Sequence, residues 1–124
     1  MLLDTHVLLW WLFDDPNLSP GVANLIGHGG ESITVSAVSG FEIATKQALG
    51  KLDAPDDLEE QVEQSGFTQL PLTLAHGVAA GKLPPHHKDP FDRLLIAQAQ
   101  LEGLTLVTAD HFIQMYDVPT LAAR

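Results

Sequence analysis

The chain contains no cysteine in its 124 residues. That absence excludes a disulfide framework and any thiolate metal site, so a bound metal would take oxygen and imidazole ligands. Cations are also scarce, with six Lys and Arg against 16 Asp and Glu and a formal net charge of −10. Such a balance disfavours non-specific nucleic-acid binding through a basic surface and suggests a cationic partner or a bound metal. No basic leader or long apolar run precedes the first charge, because Met1-Leu2-Leu3 is followed at once by Asp4. The expectation is a protein without signal peptide or membrane span, soluble and cytoplasmic. Internal repeats and low-complexity segments are missing as well.

What is present is an apolar content of 45%, enough to close a core in one domain over residues 1–124. The best-signalled element is a helix from Asp89 to Gly103. Asp89 is an N-cap, Pro90 suits the first helical position and Gly103 supplies the left-handed stop. On a 3.6-residue period Asp92 lines up with Ile96 and Ala99 on the apolar stripe, whereas Arg93 and Gln100 lie opposite. A carboxylate on an apolar stripe is costly unless it is paired, hydrogen-bonded or bound to a metal. Asp92 therefore needs a partner, since Asp89 already takes the cap.

From the N-terminus, Met1-Leu2-Leu3 reads as a strand and Thr5 to Phe13 as a buried helix. Ser19-Pro20 opens a second helix that ends near Gly27-His28-Gly29-Gly30. Ser32 to Val35 is a second strand, after which Ser36 or Ser39 caps a helix running to Leu49 and stopped by Gly50. Val38, Glu42, Thr45 and Leu49 share one face of it, so a second carboxylate interrupts a mostly apolar surface. Pro55-Asp56-Asp57 begins an acidic, solvated helix ending at Gly66. Phe67 to Leu72 is a third strand, and Thr73 caps a small helix through Ala80. The prolines of Leu83-Pro84-Pro85-His86-His87-Lys88 keep that linker out of helix. Leu104 to Thr108 is a buried strand, followed by a short helix from His111 to Met115 and a last strand from Val118 to Leu121.

Strands alternating with helices predict an α/β fold with a parallel sheet covered on both faces, and ligands collect beyond the carboxyl ends of such strands. Asp4 and Asp110 follow the first and fourth strands, while Glu42 and Asp92 lie near the starts of helices that approach the same edge. Crowded together, these four carboxylates would repel and raise their pKa values unless a divalent cation neutralised them, and oxygen-only ligands favour Mg²⁺ or Mn²⁺. Such an ion suits phosphodiester hydrolysis.

Singly, each acid has a plainer use. Asp4 and Asp110 can cap the helices that follow them, and Glu42 can close a capping box with Ser39. His86 and His87 are expected to face solvent in a proline-bounded loop, and His6 to be a hydrogen-bonded core residue. Trp10 and Trp11 read as core or dimer contacts, because neighbours on a helix point different ways. The segments Val7 to Phe13 and Val22 to Ile26 offer more apolar surface than a small domain easily buries, which marks a groove or dimer face.

Five stretches of this chain resemble the successive motifs of PIN-domain proteins of the VapC toxin type. They are Met1-Leu2-Leu3-Asp4-Thr5-His6-Val7-Leu8-Leu9-Trp10, Ser39-Gly40-Phe41-Glu42-Ile43-Ala44-Thr45-Lys46, Gly50-Lys51-Leu52, His87-Lys88-Asp89-Pro90-Phe91-Asp92-Arg93-Leu94-Leu95-Ile96-Ala97-Gln98-Ala99 and Leu106-Val107-Thr108-Ala109-Asp110. The resemblance implies a three-layer α/β/α fold around about five parallel strands. It also implies a Mg²⁺-dependent endoribonuclease, with Asp4, Glu42, Asp92 and Asp110 as the catalytic and metal-holding quartet and Mn²⁺ as a possible substitute. RNA enters only through this resemblance, as do a small cognate antitoxin and a homodimer. Thr108 stands beside the quartet, and Lys46, Arg93 and Asp89 are candidate supporting or substrate contacts. Lys46, four residues after Glu42, has the simpler role of a helix-surface ion pair. Phe41 stands where relatives carry Trp, and as an aromatic it should keep the packing there. Competing functions are a PIN nuclease that is no toxin, and a weakly catalytic antitoxin-binding co-repressor.

Overall fold

Leu2 and Leu3 form the middle strand of the sheet and send their side chains to opposite faces, so each nucleates a separate core. The computed structural model describes residues 1–124. In chain order its elements are β1 (Leu2–Leu3), α1 (Thr5–Leu12), α2 (Pro20–Gly29), β2 (Thr34–Ser36), α3 (Ala37–Ala48), α4 (Leu58–Gln64), β3 (Thr68–Leu70), α5 (Leu74–Gly81), α6 (Pro90–Glu102), β4 (Leu106–Thr108) and β5 (Thr120–Ala122). The five strands run parallel in the order β3-β2-β1-β4-β5. This is the covered parallel sheet predicted above.

One core gathers Leu3, Val7, Leu8, Ile26, Ile33, Val35, Ile43 and Val107 under α1 to α4. The other gathers Leu2, Val38, Leu95, Ile96, Ala99 and Leu106 under α6, closed by Ile113 and Tyr116. Each fully buried leucine in them contributes about 1.5–3 kcal/mol by leaving water. Because β1 is central and the chain turns to β2 on one side and β4 on the other, the crevice of this sheet opens at the carboxyl end of β1.

The helix signals in the sequence hold. Asp89 accepts from the N–H groups of Phe91 and Asp92 at 2.8 and 3.2 Å, Pro90 is the first helical residue, and Gly103 is left-handed at φ 67°. Ser36 is the cap of α3, accepting from Val38 N at 3.0 Å. Ser39 instead sits inside the helix, fully buried, with its hydroxyl 3.0 Å from that of Thr5, so it closes no capping box with Glu42.

Other expectations need correction. The strand expected to reach Leu72 ends at Leu70 because Pro71 has no N–H for the ladder, and the last strand starts at Thr120 because Pro119 precedes it. His111 to Met115 forms only a 3₁₀ turn at Ile113–Met115. Leu49, placed by period on the face of Val38 and Glu42, is exposed at the helix end. His6 is exposed, not a core residue. The apolar stretches of α1 and α2 are mostly internal, with Val7, Leu8, Val22 and Ile26 in the core and only Phe13 and Leu25 largely exposed. Trp10 and Trp11 are part-buried, Trp11 against Phe67 and Trp10 under the Arg124 guanidinium.

Candidate active site

The register of β1 and β4 pairs Leu3 with Val107, and the Asp4 N–H continues that ladder to Val107 O at 3.0 Å. Asp4 is thereby set beside Thr108 at the carboxyl edge of the sheet. Its Oδ1 accepts from Val7 N at 2.8 Å, so the capping role is real, yet the residue is only 5% exposed. Burial raises the Asp4 pKa, opposed by hydrogen bonds from the Thr108 hydroxyl and the Val7 N–H, and the nearby Asp110 charge raises it further.

Glu42 comes from the second turn of α3 and is 3% exposed. One oxygen, Oε2, accepts from Lys46 Nζ, the ion pair expected from their spacing, but with its carboxylate buried and not on the helix surface. The other, Oε1, is the one buried side-chain oxygen or nitrogen in the protein with no hydrogen-bond partner. A buried carboxylate oxygen without a donor costs several kcal/mol of lost hydration unless something cationic meets it.

Asp92 lies at the start of α6, partly buried as its place on the apolar stripe requires. Its pKa is pushed up to about 7, first by burial and then by the negative charges of Asp89, Asp4 and Glu42. Asp4 and Glu42 lie close enough to raise the Asp92 pKa, Asp110 close enough to raise that of Asp4, and one His87 nitrogen lies within 3.0 Å of both Asp92 and Asp110, so the fold brings the four predicted acids to the same edge. Asp110 follows β4, accepts from Phe112 N at 2.8 Å through Oδ1, and is itself held by a 3.0 Å bond from its N–H to Thr108 Oγ1.

The supporting residues divide differently from their sequence reading. Asp89 is committed to its cap, and Thr108 is fully buried between Asp4 and Asp110. Lys46 remains at the site, bonded to Glu42 and 5.7 Å from the centre of the Phe91 ring. Arg93 turns away. Its guanidinium donates to the carbonyls of Ala80, Leu83, Pro84 and His87 at 2.9–3.2 Å and to the Tyr116 hydroxyl at 3.4 Å. A fork with that many backbone acceptors is a clamp on the loop before α6, not a hand extended to substrate.

His87 overturns the solvent-facing expectation, whereas His86 is exposed as expected. The His87 side chain is only 12% exposed, and Nε2 lies 2.9 Å from Asp92 Oδ2 and 3.0 Å from Asp110 Oδ2. Proline-bounded loops usually face water, and the only sequence hint was its position two residues before the cap and five before Asp92. Tyr116, which accepts from His87 N at 2.8 Å, carried no such hint.

Phe41 is 66% exposed and touches Phe91 at 6.0 Å between ring centres, so the aromatic before Glu42 borders the site and adds little to the core. Phe112 is exposed on the Asp110 side. A groove of about 730 Å³ between α3, α4 and β3 contains none of the four acids. It lies on the far side of α3, lined by residues such as Leu8, Ala44, Leu58 and Val62.

All four acids offer oxygen donors, and the orphaned Glu42 Oε1 is the atom a cation would satisfy, so the residues fit a hard divalent ion such as Mg²⁺ or Mn²⁺.

Comparison with known proteins identifies the family. The PIN domain family model matches residues 1–118. Ribonuclease VapC22 of Mycobacterium tuberculosis is 34% identical across 96% of this chain and 93% of its own length. The solved structure of FitAcB from Neisseria gonorrhoeae is 24% identical, with a TM-score of 0.71 over 98% of this chain and 96% of that one. VapBC2 from Rickettsia felis, solved with a DNA fragment from their promoter, is 16% identical, with a TM-score of 0.69 over 97% and 96% of the two chains.

Proposed function

Because the chain belongs to the PIN domain family, we propose that it is a metal-dependent endoribonuclease and the toxin of a toxin–antitoxin pair. Asp4, Glu42, Asp92 and Asp110 would hold Mg²⁺, with Mn²⁺ as a substitute. The observation that carries the reading is the buried, partnerless Glu42 Oε1 beside a carboxyl group raised to about 7, an arrangement that is costly without a cation. The similarity to a ribonuclease along nearly the whole chain supports RNA as the substrate. On this reading residues 1–124 form one nuclease domain acting in the cytoplasm. No helix of the chain is long and apolar enough to cross a membrane.

Bound in the quartet, a divalent ion would lower the pKa of an attacking water and neutralise charge at the phosphodiester. The chain's own residues prepare that chemistry. The cap bond from Val7 N holds Asp4 Oδ1, and the Phe112 N–H holds Asp110 Oδ1, so both carboxylates are oriented before any ligand arrives. Lys46 bonds Glu42 Oε2 and so fixes which carboxylate oxygen, Oε1, stays open. Asp92, its pKa pushed up to about 7, would be one of the residues holding the ion and would give up its proton close to neutral pH to do so. The objection from the net charge weakens locally, because the exposed Lys88 adjoins His87 in the loop that enters the site.

The neighbouring structures include toxin–antitoxin complexes, among them one from Klebsiella pneumoniae, which supports a small cognate antitoxin as partner. A carboxylate-rich edge suits an arginine-bearing segment of such a partner, since guanidinium binds carboxylates in a bidentate manner. A homodimer belongs to the same proposal.

Incubating the purified protein with total cellular RNA, with Mg²⁺ or Mn²⁺ and with a chelator, should give mapped cuts only when the ion is present. Induced expression should arrest growth, and co-expression of the adjacent small gene should relieve the arrest and yield a copurifying complex. Cleavage without toxicity would leave a PIN nuclease that is no toxin, and a complex without cleavage would leave the co-repressor role.

Binding should also register as stability. An ion present at a hundred times its dissociation constant stabilises the folded state by about 2.7 kcal/mol, so the thermal midpoint should rise by several degrees in millimolar Mg²⁺. Glu42→Gln should remove most of that rise. A wild-type midpoint indifferent to millimolar divalent ions would count against the quartet as a metal centre.

A further inference from the structure

His87, Asp92 and Asp110 place their ligating atoms within 4.8 Å of one another, a spacing that by itself suits three metal ligands. The proton on the imidazole argues otherwise. The Asp89 backbone N–H points at His87 Nδ1 at 3.1 Å, and a backbone N–H can only donate. Nδ1 must therefore present its lone pair, which puts the ring's hydrogen on Nε2. That Nε2–H donates to Asp110 Oδ2 at 3.0 Å, with Asp92 Oδ2 at 2.9 Å from the same nitrogen. In this tautomer no lone pair of the ring faces the carboxylates, so ligation would require the Asp89 bond to break.

We infer that His87 is a positioning residue, whose Nε2–H holds Asp110 beside Asp92 at the spacing a divalent ion needs while staying outside its ligand shell. The inference rests on the proposed metal-holding role of the quartet. Two carboxylates that repel each other drift apart in the absence of an ion, and one fixed donor between them removes most of that freedom. The Oδ1 atom of Asp92 makes no side-chain or backbone hydrogen bond in the protein, so it stays open to a cation.

The loop is built to hold the ring still. Tyr116 Oη accepts from His87 N at 2.8 Å and donates to Pro84 O at 2.6 Å, while Arg93 Nη1 donates to the carbonyls of His87 and Pro84. The Phe112 ring, 5.6 Å from the imidazole and tilted 58° to it, limits its rotation. Thus Arg93 and Tyr116 fix the backbone, the Asp89 N–H fixes the tautomer, and His87 fixes the acids.

The test uses Mn²⁺ as the probe, with calorimetric binding and pulsed electron paramagnetic resonance on wild type, His87→Leu and His87→Gln. Wild type should bind Mn²⁺ with no directly coordinated nitrogen in the spectrum. His87→Leu should weaken Mn²⁺ binding by about 10–100-fold, the usual cost of losing a partner of a metal ligand. His87→Gln should recover most of the affinity, because its amide N–H can donate where Nε2–H did. A nitrogen directly bound to Mn²⁺ in wild type would make His87 a ligand and overturn the inference. So would unchanged affinity in His87→Leu, or equal loss in a folded His87→Gln. If wild type binds no Mn²⁺ at all, the metal-centre reading falls too, whereas Mn²⁺ bound equally well without His87 sinks the inference alone.

Discussion

Asp92→Asn is expected to lower metal-dependent RNA cleavage by roughly a thousandfold, about 4 kcal/mol of lost transition-state stabilisation, while making the metal-free protein more stable. Both effects have one cause. Asp92 is crowded by burial and by Asp89, Asp4 and Glu42, which push its pKa from 3.8 up to about 7. An acid raised in the folded state binds a proton more tightly there than in the unfolded chain. Between pH 4 and 7 the folded state therefore holds the extra proton, and stability falls as pH rises through that window. Above about 7 the full cost is present. Asp4, raised by burial, adds to it with the same sign.

Asparagine has no such charge. The metal-free variant should gain on the order of 2 kcal/mol at pH 8, a rise of about 5–10 °C in thermal midpoint, and its midpoint should vary less from pH 4.5 to 8. Scanning calorimetry with a chelator across that range, beside cleavage assays in Mg²⁺, checks both halves. Wild-type activity in the mutant would remove Asp92 from the mechanism. A midpoint that rises with pH in the metal-free wild type would contradict the electrostatics.

Arg93→Ala should produce the largest loss of stability available from a single part-exposed residue, about 3 kcal/mol or more. The guanidinium satisfies the carbonyls of Ala80, Leu83, Pro84 and His87, and charge-assisted bonds of this kind contribute about 1.5–3 kcal/mol each before other groups and water compensate. Arg93→Lys should rescue little, because one ammonium cannot reproduce the planar fork. Cleavage should drop as the loop bearing His87 loosens, yet the dependence of substrate binding on salt should stay as in wild type. If Arg93 instead met a phosphate, its removal would reduce the slope of log affinity against log salt by about 0.7–0.9. Denaturant titration and binding measured at several salt concentrations separate the two roles.

The groove of about 730 Å³ between α3, α4 and β3 contains none of the four acids. Charge, burial and the missing partner of Glu42 Oε1 set the acidic crevice apart from it.

The sequence by itself determined the elements whose causes are local. Asp89, Pro90 and Gly103 specify where α6 begins and ends because caps and stops act within one turn, and alternating strands and helices are enough to dictate a parallel sheet. The four acids were legible too, since each breaks an apolar pattern or follows a strand. Tertiary structure alone decided what depends on residues distant in the chain. It chose Ser36 over Ser39 as the cap of α3, exposed His6, and buried the apolar faces of α1 and α2 that looked superfluous. It also turned Arg93 onto a loop and His87 onto the acids, through Tyr116, which is 29 residues from His87. Period and propensity reveal which side of a helix a residue occupies, but the destination of a long side chain or a loop imidazole depends on donors and acceptors that only the packed chain brings within 3 Å.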